Sequence, residues 1–309
     1  MKQNAWILRF GEIGLKSRVV RRQFTRALKK NMQSQSFSAN INLNQDRIET
    51  MDVVTSDSTK EEVESLLSHV LGVVAIDPIE LISEQLDPSH VAKIILSKDP
   101  RLGEKRTFGV RVRRVGEKSE WGSQSYARAI GSSMWDLDNC LKVDLTNPDQ
   151  WVRLVISPDK VWLMGERIEG PGGLPPGVQG NVLSRIVDES TLMSTFLIMR
   201  RGSRVIPIED SKEEYIQILK RWDPFLGKYS TEHSVTGQKR KRHPWGVIGM
   251  SVSEGYGLIT KRADDVKTVP LSTLEPLCGW TETEKKSLLK HIIDPQKHVA
   301  MPNIEGWVS

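Results

Sequence analysis

Cysteine is scarce in this chain of 309 residues: Cys140 and Cys278 stand far apart and in no CxxC pattern. That spacing argues against a disulfide framework and a thiolate metal cluster. The six histidines are scattered, with no HExxH and no pair at ligand spacing, so no metal site is expected. Neither a GxSxG elbow nor a GxxxxGK[ST] loop occurs, which removes the usual motifs of an α/β-hydrolase and of a Walker-type ATPase. No apolar run approaches the ~20 residues of a membrane span. The opening MKQNAWILRFGEIG lacks a signal peptide's continuous apolar core and small-residue cleavage site. These absences lead to the expectation of a cytoplasmic protein with no membrane partner.

Acidic residues are missing from one stretch in particular. Positions 1–33 hold Lys2, Arg9, Lys16, Arg18, Arg21, Arg22, Arg26, Lys29 and Lys30 against the single acid Glu12. The net charge of +5 is mild, but a one-sided cationic segment of this kind is an electrostatic footprint for phosphate backbones. With 38% hydrophobic and 27% charged residues, the composition is ordinary, and the length suggests two or three domains with ample core.

Apolar periodicity divides the chain into four parts. In 1–78, a strand at 5–10 and a basic helix at 18–32 are followed by strands at 40–43 and 47–54 about the turn Asn44-Gln45-Asp46. A helix at 61–71 and a strand at 73–79 complete a β-α-β-β-α-β order, which is ferredoxin-like. Lys16, Arg21 and Arg22 at the helix start are the residues aimed at RNA phosphate. In 79–168, a helix at 91–96 precedes a period-two strand at 107–115, with Phe108, Val110 and Val112 on one side and Arg111 and Arg113 on the other. A strand of that kind presents guanidinium groups on a rigid row. A helix at 123–135 and a turn at Asp144, Asn147 and Pro148, where Asp144 bonds its own backbone, come next.

Residues 169–180 are a linker, with five glycines and three prolines between 170 and 180. The part at 181–309 opens with a short apolar strand at 182–187, Asp188 as N-cap, a helix carrying Leu192, Phe196, Leu197 and Met199, and Gly202 as C-cap. Strands at 204–208 and 245–250 and helices at 211–222 and 283–293, the last capped by Thr281, read as a doubly wound α/β sheet. Trp222 and Trp245 are expected to pack, and the run Lys239, Arg240, Lys241 and Arg242 is either a solvated loop or a second phosphate contact.

Three stretches carry a family resemblance: GEIGLK at 11–16, TFGVRVRRVGEKSEWGSQSYARAIGSSM with KVDLTNPD, and GPGGLPPGVQGNVL followed by strand, turn, helix and MRRG. Together they resemble the tRNA 4-thiouridine synthetase family, in which an RNA-binding THUMP domain meets a PP-loop ATP pyrophosphatase domain. The resemblance implies an α/β chain whose N-terminal half is α+β: ferredoxin-like domain, THUMP domain, linker and a Rossmann-like PP-loop-type domain at 181–309. It implies tRNA as partner, bound at the acceptor stem and 3′ CCA end, with Arg111, Arg113, Arg114, Ser123, Tyr126 and Arg128 as candidate contacts and Gly173 and Leu174 as a hinge. A homodimer and a sulfur-donor or modification enzyme are the further partners implied.

The family's phosphate loop reads SGGxDS, and the aligned residues here are Ser184, Arg185, Ile186, Val187, Asp188 and Glu189. Arg185 and Ile186 replace the glycines that expose backbone N–H groups to phosphate, and Glu189 adds negative charge, so Ser184, Arg185, Ile186 and Asp188 form a vestigial nucleotide site. Cys278, in PLCGW, is expected as a small buried residue and not a sulfur carrier. Two functions fit: a non-catalytic tRNA-binding protein with no cofactor, alone or as an accessory to a separate enzyme, and an active tRNA sulfurtransferase using ATP and Mg²⁺. The second would need Ser184, Asp188 and Ser190 as an unconventional cradle, with Arg185 supplying the charge.

Overall fold

The computed structural model describes residues 3–118, 120–227, 244–260 and 271–298. The chain begins with β1 (Asn4–Phe10), α1 (Arg18–Ser38), β2 (Asn44–Ile48), β3 (Met51–Ser56), α2 (Lys60–Leu67) and β4 (Val73–Ser83), in the order the spacing predicts. The helix α1 runs on past residue 32 because Asn31, Met32, Gln35 and Ser36 are all buried along its last turns. The expected turn at Asn44-Gln45-Asp46 is instead strand: β2 pairs with β3 from Asn44↔Thr55 to Ile48↔Met51, and the chain reverses at Glu49 and Thr50. An Asn-Gln-Asp run reads as a turn from its polarity, but β2 is an edge strand, where polar residues are tolerated. Thr59 caps α2 through a reciprocal pair of bonds with Glu62.

The next elements are α3 (Pro88–Ser97), β5 (Arg106–Arg114), α4 (Ser123–Leu137), β6 (Leu141–Val143), β7 (Gln150–Ile156), β8 (Val161–Met164) and the short β9 (Ile168–Glu169). One sheet has the order β2-β3-β1-β4-β8-β7-β5-β6, with β9 against β4. The linker leads to β10 (Asn181–Ser184), α5 (Glu189–Arg200), β11 (Arg204–Pro207), α6 (Glu213–Lys220), β12 (Pro244–Ile248), α7 (Val252–Thr260), β13 (Ser272–Thr273) and α8 (Glu282–Ile293). Their strands form a second sheet, β11-β10-β12-β13, parallel throughout. No described helix is long and apolar enough to cross a membrane.

The chain gathers into two compact units: Met1–Leu8, Asn44–Asp57 and Ile76–Ile168 form one, and Arg9–Leu43, Ser58–Ala75 and Glu169–Ser309 form the other. In the first, α3 and α4 cover one face of the sheet with a core of Val91, Ile95, Phe108, Ile130, Met134 and Leu154. Arg106 is buried beside Asp99 at 2.9 Å and Asp138 at 3.7 Å, so its charge is compensated within the fold.

In the second unit, α5, α6 and α8 pack through Leu192, Phe196, Met199, Leu219, Trp222, Leu288 and Ile292. Arg201 is the C-cap of α5, and Gly202 just beyond it takes φ 97°, its N–H donating to the Met199 carbonyl at 2.8 Å. The linker is stitched to that helix end: Leu174 N–H donates to the Arg200 carbonyl at 2.8 Å, and the N–H groups of Gly177 and Gln179 both reach the Gly202 carbonyl at 2.9 Å. Gly173 has φ 73°, and a Cβ there would collide with the Arg200 carbonyl oxygen, so glycine is used for close approach.

His69 is buried in this unit, its ring 4.8 Å from that of Trp222 and its Nδ1 2.8 Å from the Ser65 carbonyl. Burial pulls its pKa down from 6.5 to about 4, the hydrogen bond to Ser65 opposing the shift. Between those values an unfolded chain takes up a proton that the folded chain refuses, so stability is full above pH 6.5 and falls on acidification. The loss amounts to about 2 kcal/mol by pH 5. In urea unfolding at pH 7.5 and pH 5, His69→Leu is expected to show a visibly smaller acid-induced drop in midpoint than the wild type. An identical drop would mean that His69 carries none of the acid sensitivity.

Candidate nucleic-acid interface

Strand alternation sets the first cluster. Along β5, Phe108, Val110 and Val112 turn toward the α3–α4 core, which leaves Arg111 and Arg113 exposed on the opposite face. The parallel neighbour β7 places Arg153 beside Arg111 and Trp151 beside Gly109 in register. The Arg111 guanidinium lies over the Trp151 ring at 3.7 Å. A Cβ on Gly109 would stand 2.5 and 2.8 Å from indole carbons, so only glycine lets the ring lie across β5. On the other side, Lys142 of β6 pairs with Thr107 and is exposed.

The remaining THUMP-type candidates are elsewhere. Arg114, half-buried, lies on the alternate side of β5, and its N–H donates to Ser123 Oγ at 3.2 Å, so Ser123 ties the strand end to the start of α4. Arg128 is exposed on α4, which covers the face opposite Arg111. Tyr126 is fully buried with Ile130 and Met134 along the inner side of α4, its ring edge-to-face with Trp121 at 5.3 Å. Burial raises its phenol pKa, with Asp87 adding to the effect. The expectation that Tyr126 meets RNA is therefore corrected: i, i+4, i+8 spacing makes it a core residue. Asp144 does accept from its own turn, at the N–H groups of Thr146 and Asn147 (2.7 and 3.0 Å).

The second unit carries the other cationic candidates. Lys16, half-buried, ends a 3-10 turn at Glu12–Leu15, and Arg21, exposed on α1, reaches its carbonyl oxygen at 3.4 Å. Arg18, Arg22, Arg26 and Lys30 recur every fourth residue on the exposed side of α1, forming a stripe of positive charge.

The third cluster is at the carboxyl ends of β10 and β12. The chain leaves β10 for β11 on one side and returns to β12 on the other, which creates the switch point where open parallel sheets bind ligands. Arg185 occupies it: Nε is 2.8 Å from Asp210 Oδ2, Nη2 is 2.9 Å from Glu254 Oε1, and Nη1 donates to the Gly249 carbonyl at 3.4 Å. Glu254 is held down to about pKa 2, first by the Ser251 N–H and hydroxyl and then by Arg185.

The backbone of the loop is equally committed. Arg185 N–H donates to the Ile248 carbonyl at 3.0 Å and Ile186 N–H to Ser211 Oγ at 3.1 Å. Thr191 Oγ1 receives both Val187 and Asp188 N–H, at 3.0 and 3.1 Å, while Asp188 caps α5 through Thr191 N–H at 2.7 Å. Ser184 and Ile186 are buried, the serine hydroxyl 2.7 Å from that of Thr195. As nucleotide-facing side chains, these two are corrected: β10 is buried on both faces, which encloses Ser184, and Ile186 packs into the α5–α6–α8 core. The backbone N–H groups from Arg185 to Asp188 and the Arg185 guanidinium are therefore all engaged within the protein.

Cys278 is exposed, against expectation: Leu277 and Trp280 take the packing positions in that turn and leave the cysteine between them facing out. Trp222 is a core residue; Trp245 is partly exposed and donates its indole N–H to the Gln179 carbonyl at 2.9 Å. The run Lys239, Arg240, Lys241 and Arg242 lies outside the described residues. Sequence reasoning missed Trp151 and Arg153, although the W-V-R alternation of β7 repeats the R-V-R of β5. It also missed Asp210 and Glu254, which no local spacing links to Arg185.

Replacing Thr191 with valine keeps the shape but removes the acceptor of two loop N–H groups. Denaturant unfolding should show a loss of roughly 2 kcal/mol; a change within about 0.5 kcal/mol would show that water serves these groups as well.

The sheet covered by α3 and α4 and the ferredoxin-like element order each correspond to a known domain family. Residues 5–76 match the family of the ThiI ferredoxin-like domain, and residues 91–165 match the THUMP domain. The chain carries both domains and is related in sequence to tRNA sulfurtransferases. It is 33% identical over 215 residues to the "Probable tRNA sulfurtransferase" of Methanobrevibacter smithii, a match covering 67% of this chain and 54% of that protein. Against the protein of that name from Methanocaldococcus jannaschii, identity is 30% over 236 residues, covering 73% and 61%. The chain spans about half the length of the curated relatives it matches. Among solved structures, PH1313 from Pyrococcus horikoshii superposes with a TM-score of 0.70 at 26% identity, covering 94% of this chain and 99% of that one. A 4-thiouridine synthetase in complex with RNA and with bound ATP shares the fold at TM-score 0.64 and 19% identity, covering 94% and 85%.

Proposed function

We propose that this chain is a tRNA-binding protein that holds RNA on the exposed face of β5 and β7 and on α1, and that its C-terminal domain is a PP-loop-type fold whose nucleotide site is closed. One observation carries the second half: each backbone N–H from Arg185 to Asp188 is hydrogen-bonded within the protein, and Arg185 is paired with two carboxylates. The tRNA reading is supported by the THUMP match, by relatives named tRNA sulfurtransferases and by a row of exposed arginines on a rigid strand. The competing reading, an active ATP-dependent sulfurtransferase, is favoured by those same names. It requires Arg185 to leave both Asp210 and Glu254 and the loop to give up four internal bonds.

Calorimetry with Mg²⁺ and ATP, with and without tRNA, separates the two. The expected result is no heat of nucleotide binding in either condition, alongside tRNA binding that weakens steeply with salt. Replacing Arg111, Arg113 and Arg153 together by alanine should lower affinity and reduce the salt slope by roughly one unit for each phosphate no longer neutralised. Micromolar ATP binding would sink the closed-site reading; absent or salt-insensitive tRNA binding would sink the RNA reading.

A further inference from the structure

We propose that the cleft between α2 and α6 binds an aliphatic oligoamine, a chain of ammonium groups joined by methylene segments. The site goes beyond the RNA-binding reading and does not depend on it: every residue that lines the cleft belongs to the second unit, and none lies on β5 or β7.

Helical spacing builds the walls. Along α2 and just past its end, Glu61, Ser65 and His69 recur at intervals of four and line one side. Glu213, Ile216, Gln217 and Lys220 do the same along α6. The end of α1 at Gln35 and Ser38, and the chain leaving β11 at 207–209, complete an open cleft of about 1240 Å³. Such a volume accommodates a flexible ligand, and the wall from Glu61 to His69 is roughly 12 Å long by helical rise.

The unbalanced charge of the cleft is negative. Glu61 and Glu209 are exposed and have no ion-pair or hydrogen-bond partner among the described residues. The other charges are engaged: Glu62 in the Thr59 cap, Glu213 at 3.5 Å from Lys220, and Arg221 as donor to the Ile293 carbonyl at 3.0 Å. On a chain of net charge +5, two free carboxylates around one opening favour a cation and disfavour a phosphate.

Carboxylates alone would attract any cation, and His69 narrows the choice. It is only 5% exposed and lines the same cleft. Burial keeps the ring neutral at physiological pH. Nδ1 donates to the Ser65 carbonyl at 2.8 Å, which leaves the lone pair on Nε2. That atom is buried and has no hydrogen-bond partner among the described residues. A buried acceptor left unmatched calls for a donor, and an ammonium carries three N–H groups. A hard divalent cation such as Mg²⁺ takes oxygen ligands and has no use for the imidazole. Ile41, Leu66, Ile208 and Ile216 line the same space and supply apolar surface for methylene segments.

Spermidine is the probe, titrated calorimetrically into the full chain at pH 7.5 without RNA. One-to-one binding is expected, with butylamine, which has a single ammonium, roughly tenfold weaker. Mg²⁺ at matched ionic strength should not displace the triamine. Replacing Glu61→Gln and Glu209→Gln together should weaken spermidine roughly tenfold, while Glu104→Gln, an exposed carboxylate outside the cleft, should bind it like the wild type. With isotope-labelled histidine followed by nitrogen NMR, spermidine should move the His69 Nε2 signal upfield, as a lone pair that accepts a hydrogen bond does; His69→Leu assigns the signal. No spermidine binding, an equal loss in the double variant and in Glu104→Gln, or complete displacement by Mg²⁺ would overturn the site. Binding that leaves the His69 signal unmoved would overturn the ammonium contact at Nε2.

Discussion

A buried arginine must be compensated, and the way Arg204 is compensated determines how the second unit is assembled. Its Nε is 3.2 Å from Asp223, which is fully buried, and its Nη2 donates to Asn31 Oδ1 at 3.1 Å and to the Pro176 carbonyl at 3.0 Å. Burial pushes the Asp223 carboxyl up while Arg204 pulls it down. Removing either partner of such a pair leaves an uncompensated charge, at a cost of roughly 3–5 kcal/mol. The four groups belong to α1, the linker, β11 and the turn after α6. Gln35 adds a second tie, its amide reaching the carbonyls of His69 and Arg221 at 3.1 and 2.9 Å. A stretch so rich in glycine and proline would ordinarily be a loose connector; here its carbonyls and N–H groups are used by the structures on either side of it.

The same packing shapes the opening of the C-terminal domain. Strand, turn and helix persist at 181–200, including the aspartate cap and the glycine stop, because they support the packing of Leu192, Phe196 and Met199 against α6 and α8. The loop's polar groups are directed to partners within the protein. Hydroxyls of Thr191 and Ser211 accept the N–H groups that would otherwise face an anion, and two carboxylates surround the one cation. The domain keeps its architecture by satisfying internally the groups from which an anion site would be built.

Much of this is legible in the sequence, and the failures have two causes. Element order, the period-two arginine strand, the Asp188 and Thr281 caps and the parallel sheet all follow from local patterns, which survive folding because tertiary packing agrees with them. Asn44-Gln45-Asp46, Tyr126 and Cys278 defeat a local reading because polarity or residue type is allowed to stand for burial. An edge strand accepts polar residues, a helix turns a tyrosine inward when its i+4 neighbours are apolar, and a turn flanked by Leu277 and Trp280 has no packing position left for a cysteine. The Arg185 clamp is illegible for a different reason. Its partners come from the end of another strand and from the helix after a third, and only the switch point of the sheet brings them together.

The two cationic surfaces also differ in physical kind. The α1 stripe of Arg18, Arg22, Arg26 and Lys30 is a row of charges on a helix, and its attraction for a polyanion depends on spacing and ionic strength. At Arg111 the charge is fixed in orientation by an indole ring, and the ring by a glycine in the central strand, so geometry is specified as well as charge. Long-range attraction brings RNA to a surface without reading it; oriented planes discriminate a single unstacked base from a duplex. Under the proposed function, the helix stripe supplies attraction and the Arg111–Trp151 pair a fixed geometry.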